Sequence, residues 1–196
     1  MLKVCNVPNQ AMQQTRDEAR RQGHSFGCEL LIADVLPLNM PADPQVARLL
    51  DQLARGPVLV VDLVNDVPSD RLKRRPIPSK WSAHEHACHL AAVQPLFMSR
   101  LDLMLHAPTP VIRPYNPADD DAEDALLAVD LAEAMTRYRS ERAEMVSRLG
   151  NLTPAQWELS ASHPEYNRYS IFIMFRHLAL HDLYHAYRIE ERLLER

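Results

Sequence analysis

The feature that most constrains this chain is a C-terminal run without helix breakers. Fifteen prolines and four glycines are spread through 196 residues, yet none falls between Ser170 and Arg196. Ile171, Phe172, Met174, Phe175, Leu178, Leu183, Tyr187, Ile189 and Leu193 recur there at helical spacing, with Ser170 placed to cap the start. A helix that begins apolar almost all round belongs inside a bundle, so this one is expected to be buried, Tyr184 included. His177, His181 and His185 fall within it. Each step of four residues turns by about 40°, so the three imidazoles spread over roughly 80° of one face. Facing inward, they require polar partners.

The remaining elements follow from caps and breakers. Asp43 and Pro44 read as the cap and first residue of a helix carrying Val46, Leu49, Leu50 and Leu53. A kink or break is expected at Gly56-Pro57, before the aliphatic run Val58 to Val64. A segment rich in Pro and Arg leads to Trp81, and Ser82 with Glu85 makes a capping box. The second helix runs on through Leu90, Val93, Phe97 and Leu101, kinked at Pro95 and ending before Pro108. A third is expected over roughly residues 123–149, ended by Gly150, and Thr153-Pro154 opens a short turn around Trp157. With no convincing strand pair, the fold class is all-α: a four-helix bundle over residues 43–196, preceded by an N-terminal extension, residues 1–42.

Composition narrows the function classes. A net charge of -4, with 46% hydrophobic and 24% charged residues, is ordinary for a globular domain. Basic residues cluster only at Arg71, Lys73, Arg74 and Arg75, so no nucleic-acid partner is expected. Val58 to Val64 is short and interrupted by Asp62, so no membrane span is expected either. Cys5, Cys28 and Cys88 lack paired spacing, which fits a reducing, cytoplasmic setting. Gly-rich phosphate loops and dinucleotide fingerprints are missing.

The second helix carries His84, His86 and His89. His89 leads Val93 and Phe97 at four- and eight-residue steps on the core side, whereas His84 and His86 are assigned to a frayed, solvated first turn. His89, His181 and His185 together would give three neutral imidazoles from two helices, the ligand number of a catalytic metal site with one position open. Spacing does not choose between the pairs His177/His181 and His181/His185. The plainer reading is of satisfied core histidines, with Glu85 as a helix cap and Asp182, turned away from the histidine face, holding another side chain or solvated. Cys88, about 100° from His89, is not placed to be a ligand, while Arg188 lies within about 60° of His181 and His185 and is a candidate pocket contact.

Three motifs occur in order: Trp81-Ser82 with Glu85 and His89-Leu90-Ala91; Ile112 to Tyr115; and His181 and His185 followed by Ile189. This set resembles the DinB/YfiT-like superfamily of metal-binding four-helix bundles over roughly residues 45–194. The resemblance implies that His89, His181 and His185 bind a divalent metal, commonly zinc or nickel; by position, Glu85, His177, Asp182 and Arg188 are the candidate supporting or pocket residues. It further implies a small-molecule substrate, thiol transfer from a low-molecular-weight thiol to an electrophile, and a homodimer. Two other outcomes stand beside it: hydrolysis by a water on the metal with Glu85 or Asp182 as base, or a non-catalytic stress-response bundle in which an ion staples two helices. The position three residues after the first histidine, often acidic in that family, is Ala92 here.

Overall fold

The fold is taken from a computed structural model that describes residues 43–113 and 124–195. The N-terminal extension lies outside the described residues, as do Pro114 and Tyr115 of the middle motif. Helix α1 spans Pro44–Val64, with Asp43 accepting from Gln45 N at 2.7 Å. A single turn, α2, covers Ser69–Leu72. Helix α3 is Ala83–Ala92 and α4 is Gln94–His106. The short α5, Ala125–Ala128, precedes α6, Leu131–Gly150. Finally α7, Pro154–Trp157, and the strands β1, Ser160–Ala161, and β2, Tyr169–Ser170, lead into α8, Ile171–Leu194.

The long helices form a four-cornered bundle in which α8 packs on α1 and α3, and α6 packs on the same two from the other side. Several expectations need correction. Gly56-Pro57 does not break α1, which runs through it. Pro95 does more than kink the second helix, splitting it into α3 and α4 at Val93. The third helix begins at Leu131 rather than near residue 123, because Asp130 supplies the cap, accepting from Glu133 N at 2.9 Å. A small strand pair does exist: β1 and β2 are antiparallel, with Ser160 opposite Ser170 and Ala161 opposite Tyr169. Nor is α8 buried all round, since Leu180, Leu183, Tyr184 and Tyr187 are exposed.

The interior has two apolar halves. One gathers Leu49, Leu53, Phe97, Leu101, Met145 and Phe175; the other gathers Val60, Val64, Leu90, Tyr138 and Ile189. Between them along the helices sits the buried pair Arg142 and Asp182. Arg142 Nε donates to Gln94 Oε1 at 3.0 Å, Nη1 donates to the Leu53 carbonyl at 3.0 Å, and both Nη atoms donate to Asp182. Proline 57 explains the Leu53 contact: it has no N–H to give the carbonyl four residues back, so that acceptor is free for the guanidinium. Glycine 56 explains the space, because a Cβ there would lie 2.5 Å from Asp182 Oδ2 and 3.3 Å from Arg142 Nη1. The breaker dipeptide is therefore a docking slot within a continuous helix.

The basic run also has a structural use. Arg71 Nη2 donates to Leu193 O at 2.6 Å and Arg74 donates to Glu195 O, placing cations on carbonyls at the C-terminal end of α8. Among the described residues, no helix is long and apolar enough to cross a membrane.

Candidate metal centre

The first turn of α3 is seated rather than frayed. Ser82 Oγ accepts from Glu85 N at 3.3 Å, and the Glu85 carboxylate accepts in return from Ser82 N at 2.8 Å. Arg75 Nε donates to the same carboxylate at 2.9 Å. Burial pushes the Glu85 carboxyl up, but the bonds from Arg75 and Ser82 outweigh it and leave it below the usual carboxylate range. This anchoring buries both histidines assigned to solvent: His84 is 2% and His86 7% exposed. His84 Nε2 lies 3.1 Å from Leu126 O, on the side of α3 away from α8. His86 turns towards α8, its Nδ1 lying 2.8 Å from His185 Nδ1.

Structure brings His89, His181 and His185 together and leaves His177 apart. The three offer nitrogens that all lie within 4.8 Å of one another, and His89 Nε2 is 3.2 Å from His181 Nε2. Ring centroids are 5.1 Å apart for His89 and His181, 4.8 Å for His89 and His185, and 4.4 Å for His181 and His185. His177 instead packs against Tyr166 and Tyr169, at 5.1 and 5.7 Å. The choice between the two equally spaced pairs is thus made by which turn of α8 faces α3.

Burial dominates the electrostatics of this cluster. It pushes His86 down to about 4, His89 to about 3 and His185 to about 2, with neighbouring imidazoles and arginines adding to the effect. His181 is lowered by burial as well. All four are neutral at pH 7, the state a metal ligand requires. A tetrahedral ion with bonds of about 2.0–2.1 Å sets its ligand nitrogens roughly 3.3 Å apart. The His89 to His181 separation of 3.2 Å matches that edge, and all three nitrogens lie within 4.8 Å, close enough for the donor set to suit a divalent ion. Trp81 packs over the cluster, 5.0 Å from His89, 5.5 Å from His86 and 6.1 Å from His185.

The flanking candidates separate. Asp182 is committed to Arg142 and Glu85 to Arg75 and Ser82. Arg188 Nε donates to Tyr184 Oη at 3.3 Å, and Tyr184, expected in the core, is exposed with its ring edge-on to His185 at 5.2 Å. Cys88 is a buried thiol pushed up to about 12 by burial, unsuited to act as a thiolate. His86 is the group that sequence reasoning missed. Its signal was present in the three-residue step to His89, which puts both rings on one face.

Fold and site define an all-α bundle with convergent imidazoles on two facing helices. The model of the DinB superfamily matches residues 52–189, and the chain belongs to that superfamily. A solved structure of YfiT from Bacillus subtilis, described as a probable metal-dependent hydrolase with an unusual four-helix bundle topology, is similar in fold. Its TM-score is 0.69 at 20% identity, covering 80% of this chain and 90% of that one. No curated protein gives a significant match.

Proposed function

We propose that this protein is a metal-dependent enzyme in which His89, His181 and His185 hold one divalent ion, zinc or nickel, and a low-molecular-weight thiol is directed at an electrophilic small molecule. The observation that carries the reading is the convergence of three neutral imidazoles from two helices, two of them buried and one half-buried, with their nitrogens all within 4.8 Å and one pair at the 3.2 Å of a tetrahedral edge. A divalent ion among three neutral ligands keeps its positive charge and lowers the pKa of a thiol or water in the open position.

The chain's own groups favour a thiol over water. Glu85 is held by Arg75 and Ser82, and Asp182 by Arg142, so neither carboxylate is available as a general base. A thiol, with an ordinary pKa of about 8.5, needs little help to ionise near neutrality. A hollow of about 300 Å³ lined by Arg74, Arg75, Pro76, Arg192 and Glu195 touches none of the three histidines, although Arg192 Nε donates to the Trp81 carbonyl at 2.9 Å. Its guanidinium groups are already engaged, Arg75 by Glu85, Arg74 by the Glu195 carbonyl and Arg192 by the Trp81 carbonyl and Glu195. A larger cavity of about 550 Å³, lined by Val61, Lys73, His84 and Met135, touches none of the three histidines.

Hydrolysis is the second reading, supported by the description of YfiT. Elemental analysis of wild type beside His181→Ala tests the metal, and the expected result is one ion per chain, lost in the variant. Loaded protein is then given a small thiol with an alkylating electrophile, and separately an ester or amide. Consumption of thiol supports the first reading, and turnover of ester or amide alone supports the second. A wild type that takes up no ion leaves the three histidines as core polar groups.

A further inference from the structure

His86 is buried beside the cluster but is not one of its three convergent groups. Its Nδ1 and that of His185 are 2.8 Å apart, hydrogen-bond distance between two atoms of the same kind. Such a bond needs one ring to donate and the other to accept, so the proton on one ring fixes the tautomer of the other. With its proton on Nδ1, His185 has its lone pair at Nε2. With Nδ1 as acceptor, Nε2 carries the proton and no ligand atom is left.

We infer that His86 is a positioning residue for His185: its Nδ1 accepts the His185 Nδ1–H, holding His185 in the tautomer and ring orientation that offer Nε2 to a metal ion. This rests on the proposed metal role of the triad. The His86 ring is itself held in place, edge-on to Trp81 at 5.5 Å and 5.0 Å from the His185 ring, on a helix turn fixed by the Ser82 and Glu85 capping box. His181 is different, since its Nδ1 is buried without a hydrogen-bond partner among the described residues. Outer partners of ligating histidines are commonly carboxylates or carbonyls. An imidazole in that role orients the ligand while adding no negative charge, so an ion bound there keeps more of its own.

The test uses the full chain and cobalt(II) as probe, with zinc-loaded protein for nitrogen-15 NMR of the imidazoles. In wild type, His185 should carry its proton on Nδ1 and His86 on Nε2; the reverse assignment overturns the proposal without any variant. His86→Phe keeps a ring but removes the acceptor, and should weaken cobalt affinity about 10–100-fold with stoichiometry and absorption intensity unchanged. His86→Asn, whose Oδ1 can accept in place of Nδ1, should recover most of that loss. Melting of each metal-free variant checks the fold. Unchanged affinity in His86→Phe, or His86→Asn no better than His86→Phe, reduces His86 to packing. A change in cobalt coordination number makes it a ligand and also overturns the role. Wild type that binds no cobalt fails at an earlier step, removing the metal centre and this proposal with it.

Discussion

At the residue scale, the histidines carry the clearest solution signature. His84, His86, His89, His181 and His185 all have their pKa values lowered by burial, from an ordinary 6.5. The unfolded chain therefore takes up protons as pH falls through about 6.5 while the folded chain does not, and stability declines from there down towards the folded values of about 4, 3 and 2 for His86, His89 and His185. Metal-free protein should melt progressively lower between pH 7 and 5; a Tm flat over that interval would contradict neutral burial. Arg142 is the other decisive residue. Arg142→Met strands the Asp182 carboxylate and should cost about 3–5 kcal/mol in urea unfolding, whereas Arg142→Met with Asp182→Leu should recover much of it. Additive losses in that cycle would deny the coupling.

At the element scale, two features decide where side chains point. In α1, Gly56 is a space requirement. On an exposed helix Gly→Ala would stabilise by about 1 kcal/mol, but here Gly56→Ala should lower the urea midpoint because the new Cβ meets Asp182 Oδ2. In α3, the capping box seats the turn that carries His86. Ser82→Ala should cost about 1 kcal/mol of stability and also weaken metal uptake, measured by titration of the metal-free protein. A loss of stability with uptake unchanged would separate the cap from the site. Caps, breaker positions and the His181/His185 spacing were legible in sequence because each is a local signal. The burial of His86 was not, because α8, which supplies His185, arrives from a distant part of the chain to cover that turn together with the neighbouring Trp81.

At the scale of the whole molecule, the two apolar halves meet at a polar layer in which Arg142 reaches α1, α4 and α8 at once. Asp182 neighbours His181 in sequence, so the layer that sets the register of α8 also sets the level of the histidines. An ion linking α3 to α8 would tie the bundle together there. Zinc at about 100 times its dissociation constant should stabilise the protein by about 2.7 kcal/mol, reversed by chelator, and a Tm indifferent to both would argue against the site. The sequence alone determined the helices, most of their ends and the bundle class, since hydrophobic period and capping chemistry act over a few residues, while the set His89, His181 and His185 came from the family resemblance and not from spacing. Tertiary structure decided that Gly56-Pro57 is a slot instead of a break, that Asp182 and Glu85 are committed to arginines, that His177 is left aside and that His86 meets His185. Each of those depends on which faces of distant helices come together, and no local pattern encodes that.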